Sequence, residues 1–144
     1  MPMNNFLKFV ALMLALAGGY FVQDVASYFS TEHRSVDLAD YCLLSTEPCQ
    51  QQQASMTLSV DTLQPLAAAT LTVDWPQSSA KQLVLSLTGV EMEMGNPKYI
   101  LQQVSPGHYV GELVLPVCTS DSMTWAGELS DGQHTLYPAM RMQR

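Results

Sequence analysis

From Ser55 onward, apolar and polar residues alternate in short runs. A period of two is the pattern of strands with one face buried. Met56, Leu58 and Val60 alternate with Thr57 and Ser59. Leu71, Val73 and Trp75 alternate with Thr70, Thr72 and Asp74, and Pro76 stops the run. Leu83, Leu85 and Leu87 alternate with Val84, Ser86 and Thr88 up to Gly89. A shorter strand, Tyr99 to Val104, leads into the turn Ser105-Pro106-Gly107. Tyr109, Gly111, Leu113 and Leu115 then alternate with Val110, Glu112 and Val114 until Pro116. Met123, Trp125, Gly127 and Leu129 form the next run, Ser130-Asp131-Gly132 is a hairpin turn signal, and His134 to Met142 closes the series. About seven short strands with no helix between them predict an all-β domain over 55–144, an antiparallel immunoglobulin-like β-sandwich. The Cys–Trp–Cys spacing of antibody domains is absent, so the expectation is one of architecture.

The N-terminal third has a different pattern. Phe9 to Gln23 carries no charge, and Phe6 to Val22 gives 17 residues with Lys8 able to snorkel. Residues 1–30 are therefore expected to form one N-terminal transmembrane helix, with Tyr20 and Phe21 at the interface. A cleaved secretory signal is the alternative, with Ala15-Leu16-Ala17 as its cutting site. Either way the remainder is exported. Lys8 on the short side favours a single-pass protein of the inner membrane with its C-terminal domain in the periplasm. Residues 31–54 read as a linker, polar at first and ending in the run Gln50–Gln53.

Composition narrows the function classes. Six basic against thirteen acidic residues give a net charge of −7, which argues against nucleic acid. Three cysteines, Cys42, Cys49 and Cys118, are an odd count. In an oxidising compartment two can pair, and three pairings are open. Cys42 and Cys49 bracket a short loop, so a local bridge would pin the linker to the domain edge; a bridge from one of them to Cys118 is the alternative. There is no C-x-x-C, no G-x-S-x-G, no H-E-x-x-H and no glycine-rich phosphate loop. Cys118 and His108 are the nearest approach to a nucleophile pair. The expectation is that the protein is not an enzyme.

The chain is rich in methionine, nine in 144 residues. Methionine is a flexible core filler and also a soft thioether ligand for Cu(I). Met92 and Met94 stand two apart in EMEMG, where a strand gives way to a loop. Cys118 and Met123 add soft sulfurs in CTSDSMTW. If the two segments pack together, Met92, Met94, Cys118 and Met123 form one metal site for Cu(I), with Glu91 and Glu93 adding negative charge beside the cation. Strand parity sets a condition. Leu83, Leu85 and Leu87 face inward, so a straight strand turns Met92 and Met94 outward, whereas a bulge at Gly89 buries them. Met123 is in phase with Trp125 and Leu129, as a core residue would be. Met140 and Met142 read as ordinary strand-edge residues.

The run LSLTGVEMEMGNPKYILQQVSPGHYVGELVLPVC resembles the YtkA-like/FixH-like family of membrane-anchored periplasmic Ig-like domains. The matching features are Met92, Met94 and Gly95, followed by Gly107, Tyr109, Gly111, Leu113, Leu115 and Pro116. The resemblance implies copper handling or assembly of a respiratory haem–copper oxidase, with an oxidase subunit or a copper chaperone as partner. The family's loop is richer in Met, Gly and His than EMEMG, and Cys118 and the Cys42/Cys49 pair lie outside its pattern. A metal-free β-sandwich interaction module, docking a membrane partner, is the other function the residues allow.

Overall fold

The computed structural model describes residues 7–11, 13 and 37–144. The chain separates into two compact units, Met1–Arg34 and Ser35–Arg144. In the first, the described residues are helical. The expected membrane helix over 1–30 lies almost wholly outside the described residues. Among those described, no helix is long and apolar enough to cross a membrane.

The second unit opens on a 3-10 turn at Leu38–Asp40, where the Asp37 carboxylate accepts from the Ala39 N–H. Ten strands follow: β1 (Cys42–Leu43), β2 (Cys49–Gln51), β3 (Ala54–Leu58), β4 (Ala68–Asp74), β5 (Gln82–Gly89), β6 (Lys98–Ser105), β7 (His108–Val114), β8 (Ser122–Ser130), β9 (Thr135–Leu136) and β10 (Pro138–Gln143). Each alternating run is a strand, the last one being split at Tyr137. The inward residues are those of the apolar phase, and they form a single buried cluster that includes Leu71, Leu85, Leu101, Leu113 and Trp125. Burying one such leucine is worth roughly 1.5–3 kcal/mol.

All the strands belong to one sheet, ordered β1-β10-β8-β5-β6-β7-β4-β3-β2, with β9 added on β8. Every pairing is antiparallel except β1 on β10. The two ends of this path, β1 and β2, are consecutive in sequence and joined by the Cys42–Cys49 disulfide. The sheet therefore curls until its edges meet. Leu63, between β3 and β4, donates its N–H to the Arg141 carbonyl of β10 and accepts from the Gln143 N–H. Leu58 of β3 donates to the Ser45 carbonyl, in the β1–β2 connection.

From residue 37 onward, the segment read as a linker is thus part of the folded unit. Cys42 and Leu44 are core residues, and the glutamine run is a hairpin turn rather than a solvated tether. Gln52 and Gln53 have φ of 48° and 63°, the left-handed pair that a two-residue hairpin needs. The side chains of Gln51 and Gln52 cross the seam. Gln51 donates to the Asp40 carbonyl and accepts from the Tyr137 N–H at 2.6 Å. Gln52 donates to the Thr135 carbonyl. A local pattern could not show this, because the partners lie more than eighty residues away.

The registers give the unit two ends. One carries the 75–81 connection, the turns at 52–53, 106–107 and 131–134, and residue 37, where the described part of this unit begins. The other carries the 59–67, 90–97 and 115–121 connections. A strand of the length of β8 separates them by about 25–30 Å.

The seam generates a prediction. The disulfide closes a short loop, so Cys42→Ser/Cys49→Ser should cost about 2–3 kcal/mol. Equilibrium urea unfolding measures it. A loss under about 0.5 kcal/mol would mean that the backbone and glutamine hydrogen bonds close the seam unaided.

Candidate functional site

Pro116 ends the β7 run, and the chain then turns inward so that Cys118 is only 2 % exposed. Cys118 is a free thiol, so of the pairings left open the structure has Cys42 with Cys49. Five residues later Met123 enters β8 on the inward face, 1 % exposed. The Cys118 Sγ–H donates to Met123 Sδ at 3.3 Å. A thiol is a weak donor and a thioether a weak acceptor, so the contact is modest in energy. It nevertheless sets two soft sulfurs side by side under the 115–121 connection.

The EMEMG segment closes over this pair. Gly89 stays in register with Trp125, so β5 does not bulge there. The chain bends directly after it, through Val90 to Met92. A Cβ on Gly89 would lie 2.0 Å from Met123 Cε and 2.2 Å from the Met92 carbonyl oxygen. The missing side chain is thus what lets the Met123 methyl and the returning backbone share one space. The bend separates the two methionines that parity treated together. Met92 is 36 % exposed at the rim, where its Sδ takes a long contact of 3.9 Å from the Thr119 hydroxyl. Met94 is half-buried and packs against the apolar core.

Glu91 has another role than the one expected of it. Val90 donates to the Thr124 carbonyl, and the Glu91 carboxylate accepts the Thr124 N–H at 2.7 Å. Where β5 leaves β8, a side chain thus replaces the departing backbone acceptor. Burial pushes the Glu91 carboxyl pKa up, but the Thr124 hydrogen bonds and the nearby Arg141 guanidinium outweigh it, and the pKa lies below the ordinary value. Glu91 is a strut for the turn, not a counter-charge aimed at the sulfurs.

Two further sulfurs are inward-facing. Met140 and Met142, read as strand-edge residues, are 0 % and 1 % exposed. Met142 is the register partner of Met123, and Met140 that of Trp125. The alternation of Met140, Arg141 and Met142 carries the signal, since it puts both methionines on one face. The Trp125 indole N–H, on this same face, is buried without a hydrogen-bond partner.

The histidines are elsewhere. His108 pairs through Nδ1 with Asp74, and His134 packs its ring against Trp75 with Nδ1 3.7 Å from Asp131. β7 runs from His108 to Val114, which puts His108 and Cys118 at opposite ends, so they form no nucleophile pair. Among the described residues no three His, Cys, Asp or Glu side chains converge to hold a metal. The soft donors shown in contact are the Cys118 thiol and the Met123 thioether, a pair suited to a soft monovalent ion. Comparison with known families, with curated proteins and with solved structures finds no match.

Two predictions come from this geometry. Gly89→Ala has to displace backbone as well as the Met123 methyl, and should destabilise the protein by about 1–3 kcal/mol. Thermal unfolding reads it, and an unchanged midpoint would contradict the close packing. Glu91, with its pKa depressed by folding, stabilises the turn above the unfolded carboxyl value near pH 4.3 and loses that effect as pH falls through the folded value. Thr124 amide exchange, corrected for intrinsic rate, should accelerate in that acid window. In Glu91→Gln the acceleration should be absent.

Proposed function

We propose that the protein is a non-enzymatic, membrane-tethered accessory domain that holds Cu(I) on the export side of the inner membrane and assists copper handling or haem–copper oxidase assembly. The carrying observation is the buried Cys118–Met123 sulfur pair, 3.3 Å apart, with Met92 at its rim. Cys118 and Met123 would hold the ion, and Met92 would meet it at the surface. Met94 contributes to packing instead. The bound ion would supply a soft Lewis-acid centre for ligand exchange with a chaperone or an oxidase subunit. The Cys42–Cys49 disulfide supports an oxidising compartment. The anchor proposed over 1–30 would tether the unit. The antiparallel strands, present wherever the alternation predicted them, support an immunoglobulin-like sandwich as the parent architecture.

A second reading has its own observation. Leu66 is 68 % exposed, and its φ of 60° is unusual for a bulky residue. It stands beside a cleft lined by Val60, Leu63 and Ala67–Ala69, at the same end as the sulfurs. In that reading the unit is a metal-free module, and this end docks a membrane partner.

Titration of the full chain with Cu(I) against a chromophoric chelator, without oxygen, separates the two. The expected result is one ion bound, with affinity reduced at least a hundredfold in Cys118→Ser/Met123→Leu and unchanged in Met94→Leu. A parent protein that cannot compete with the chelator sinks the copper reading. A partner that co-purifies equally with the double variant and with metal-stripped protein favours the docking module.

A further inference from the structure

We infer that Met142, on β10, is the third buried ligand of the soft-cation site and that the site selects monovalent over divalent ions. This rests on the reading of Cys118 and Met123 as that site. Directly opposed residues of antiparallel strands project from the same face, with Cβ atoms about 4.5–5.5 Å apart. Met142 is directly opposite Met123. Both are 1 % exposed, so both project inward. Cys118 lies against Met123 from the connection that precedes β8. Three sulfurs thus come from β10, β8 and the 115–121 connection, the last two being joined by the short chain 119–121.

Met142 is held in place from its other side as well. Leu63 forms a parallel bridge to it, through hydrogen bonds to Arg141 and Gln143. Those bonds are among the ones that close the sheet. A thioether on this stretch of backbone has a fixed starting point, while its three rotatable bonds let the sulfur adjust to an ion. Met140 is the natural contrast. It is equally buried on the same face of the same strand, but its register partner is Trp125.

Charge decides the ion. Cys118 binds as a thiolate, and the thiol proton leaves to solvent. One thiolate, two thioethers and a monovalent cation sum to zero charge. A divalent ion in the same place would leave one uncompensated positive charge in an apolar interior, which is strongly unfavourable. The Glu91 carboxylate, in the turn itself, is engaged with the Thr124 N–H on the neighbouring strand. The partnerless Trp125 N–H marks the next position on the same inward face, and its indole is therefore a reporter of the site.

The test uses the full chain, with Ag(I) and Zn(II) as probes. Affinity is read by competition, and the methionine methyl groups are followed by carbon–proton NMR. Leu and Met have similar volumes, so Met142→Leu should preserve the fold. It should weaken Ag(I) binding at least tenfold, while Met140→Leu leaves it unchanged. In the parent protein the Met142 and Met123 methyl signals should both shift on adding one equivalent of Ag(I), and Zn(II) should move neither. If Met142→Leu binds as the parent does while Cys118→Ser and Met123→Leu are impaired, the third ligand is refuted and the copper reading stands. If all three variants bind as the parent does, the reading itself fails. If Met142→Leu does not fold, the parent Met142 methyl decides: a signal that stays put under Ag(I) overturns the assignment. Zn(II) bound as tightly as Ag(I) overturns the selectivity.

Discussion

Closure of the sheet is the constraint on which the rest of this unit depends. A sheet edge offers unpaired N–H and C=O groups, and a sheet this long would otherwise present two such edges. Here the edge strands β1 and β2 are short, adjacent in sequence and bridged by Cys42–Cys49. Leu63 supplies backbone partners to β10, and Gln51 and Gln52 add side-chain bonds across the gap. Once the edges meet, the sheet has an inside. The apolar phase of every strand then faces one shared core, which includes the buried sulfurs of Cys118, Met123 and Met142 at one end.

That turn shows how a polar residue can set an apolar site. β5 must leave β8 at Gly89, which strands the Thr124 N–H. An unpaired donor at that depth costs about 1–3 kcal/mol. The Glu91 carboxylate takes the donor, and in doing so it fixes the path of the next residue. Met92 is carried to the rim and its carbonyl is pressed over Gly89. The division between a buried sulfur pair and an exposed thioether therefore follows from a hydrogen-bond requirement, with no sulfur chemistry involved.

The two ends of the unit are chemically different. The end where residue 37 lies holds the His108–Asp74 and His134–Asp131 pairs and the glutamine turn. The opposite end holds Cys118, Met123, Met142, the rim methionine Met92 and the exposed Leu66. Both readings of the function place the business of the molecule at this second end.

From Ser55 onward, alternation alone located the strands and most of their inward residues, because side-chain direction along a strand is a local property with a period of two. It also placed Met123 in the core and made Cys42 with Cys49 one of the open pairings, since few residues separate them. What it could not determine was anything that depends on register. The segment over 31–54 has weak patterning, and only partners such as Tyr137 and Thr135 make strands and a hairpin of its latter half. Met140 and Met142 share a face in the sequence, but their being deep in the core depends on β10 lying between β8 and β1. Met92 and Met94 look like a matched pair by spacing, and the bend forced at Gly89 parts them. The sulfurs that meet come from segments whose neighbourhood is set by strand order and closure, and those are settled by long-range backbone hydrogen bonds rather than by any local run of residues.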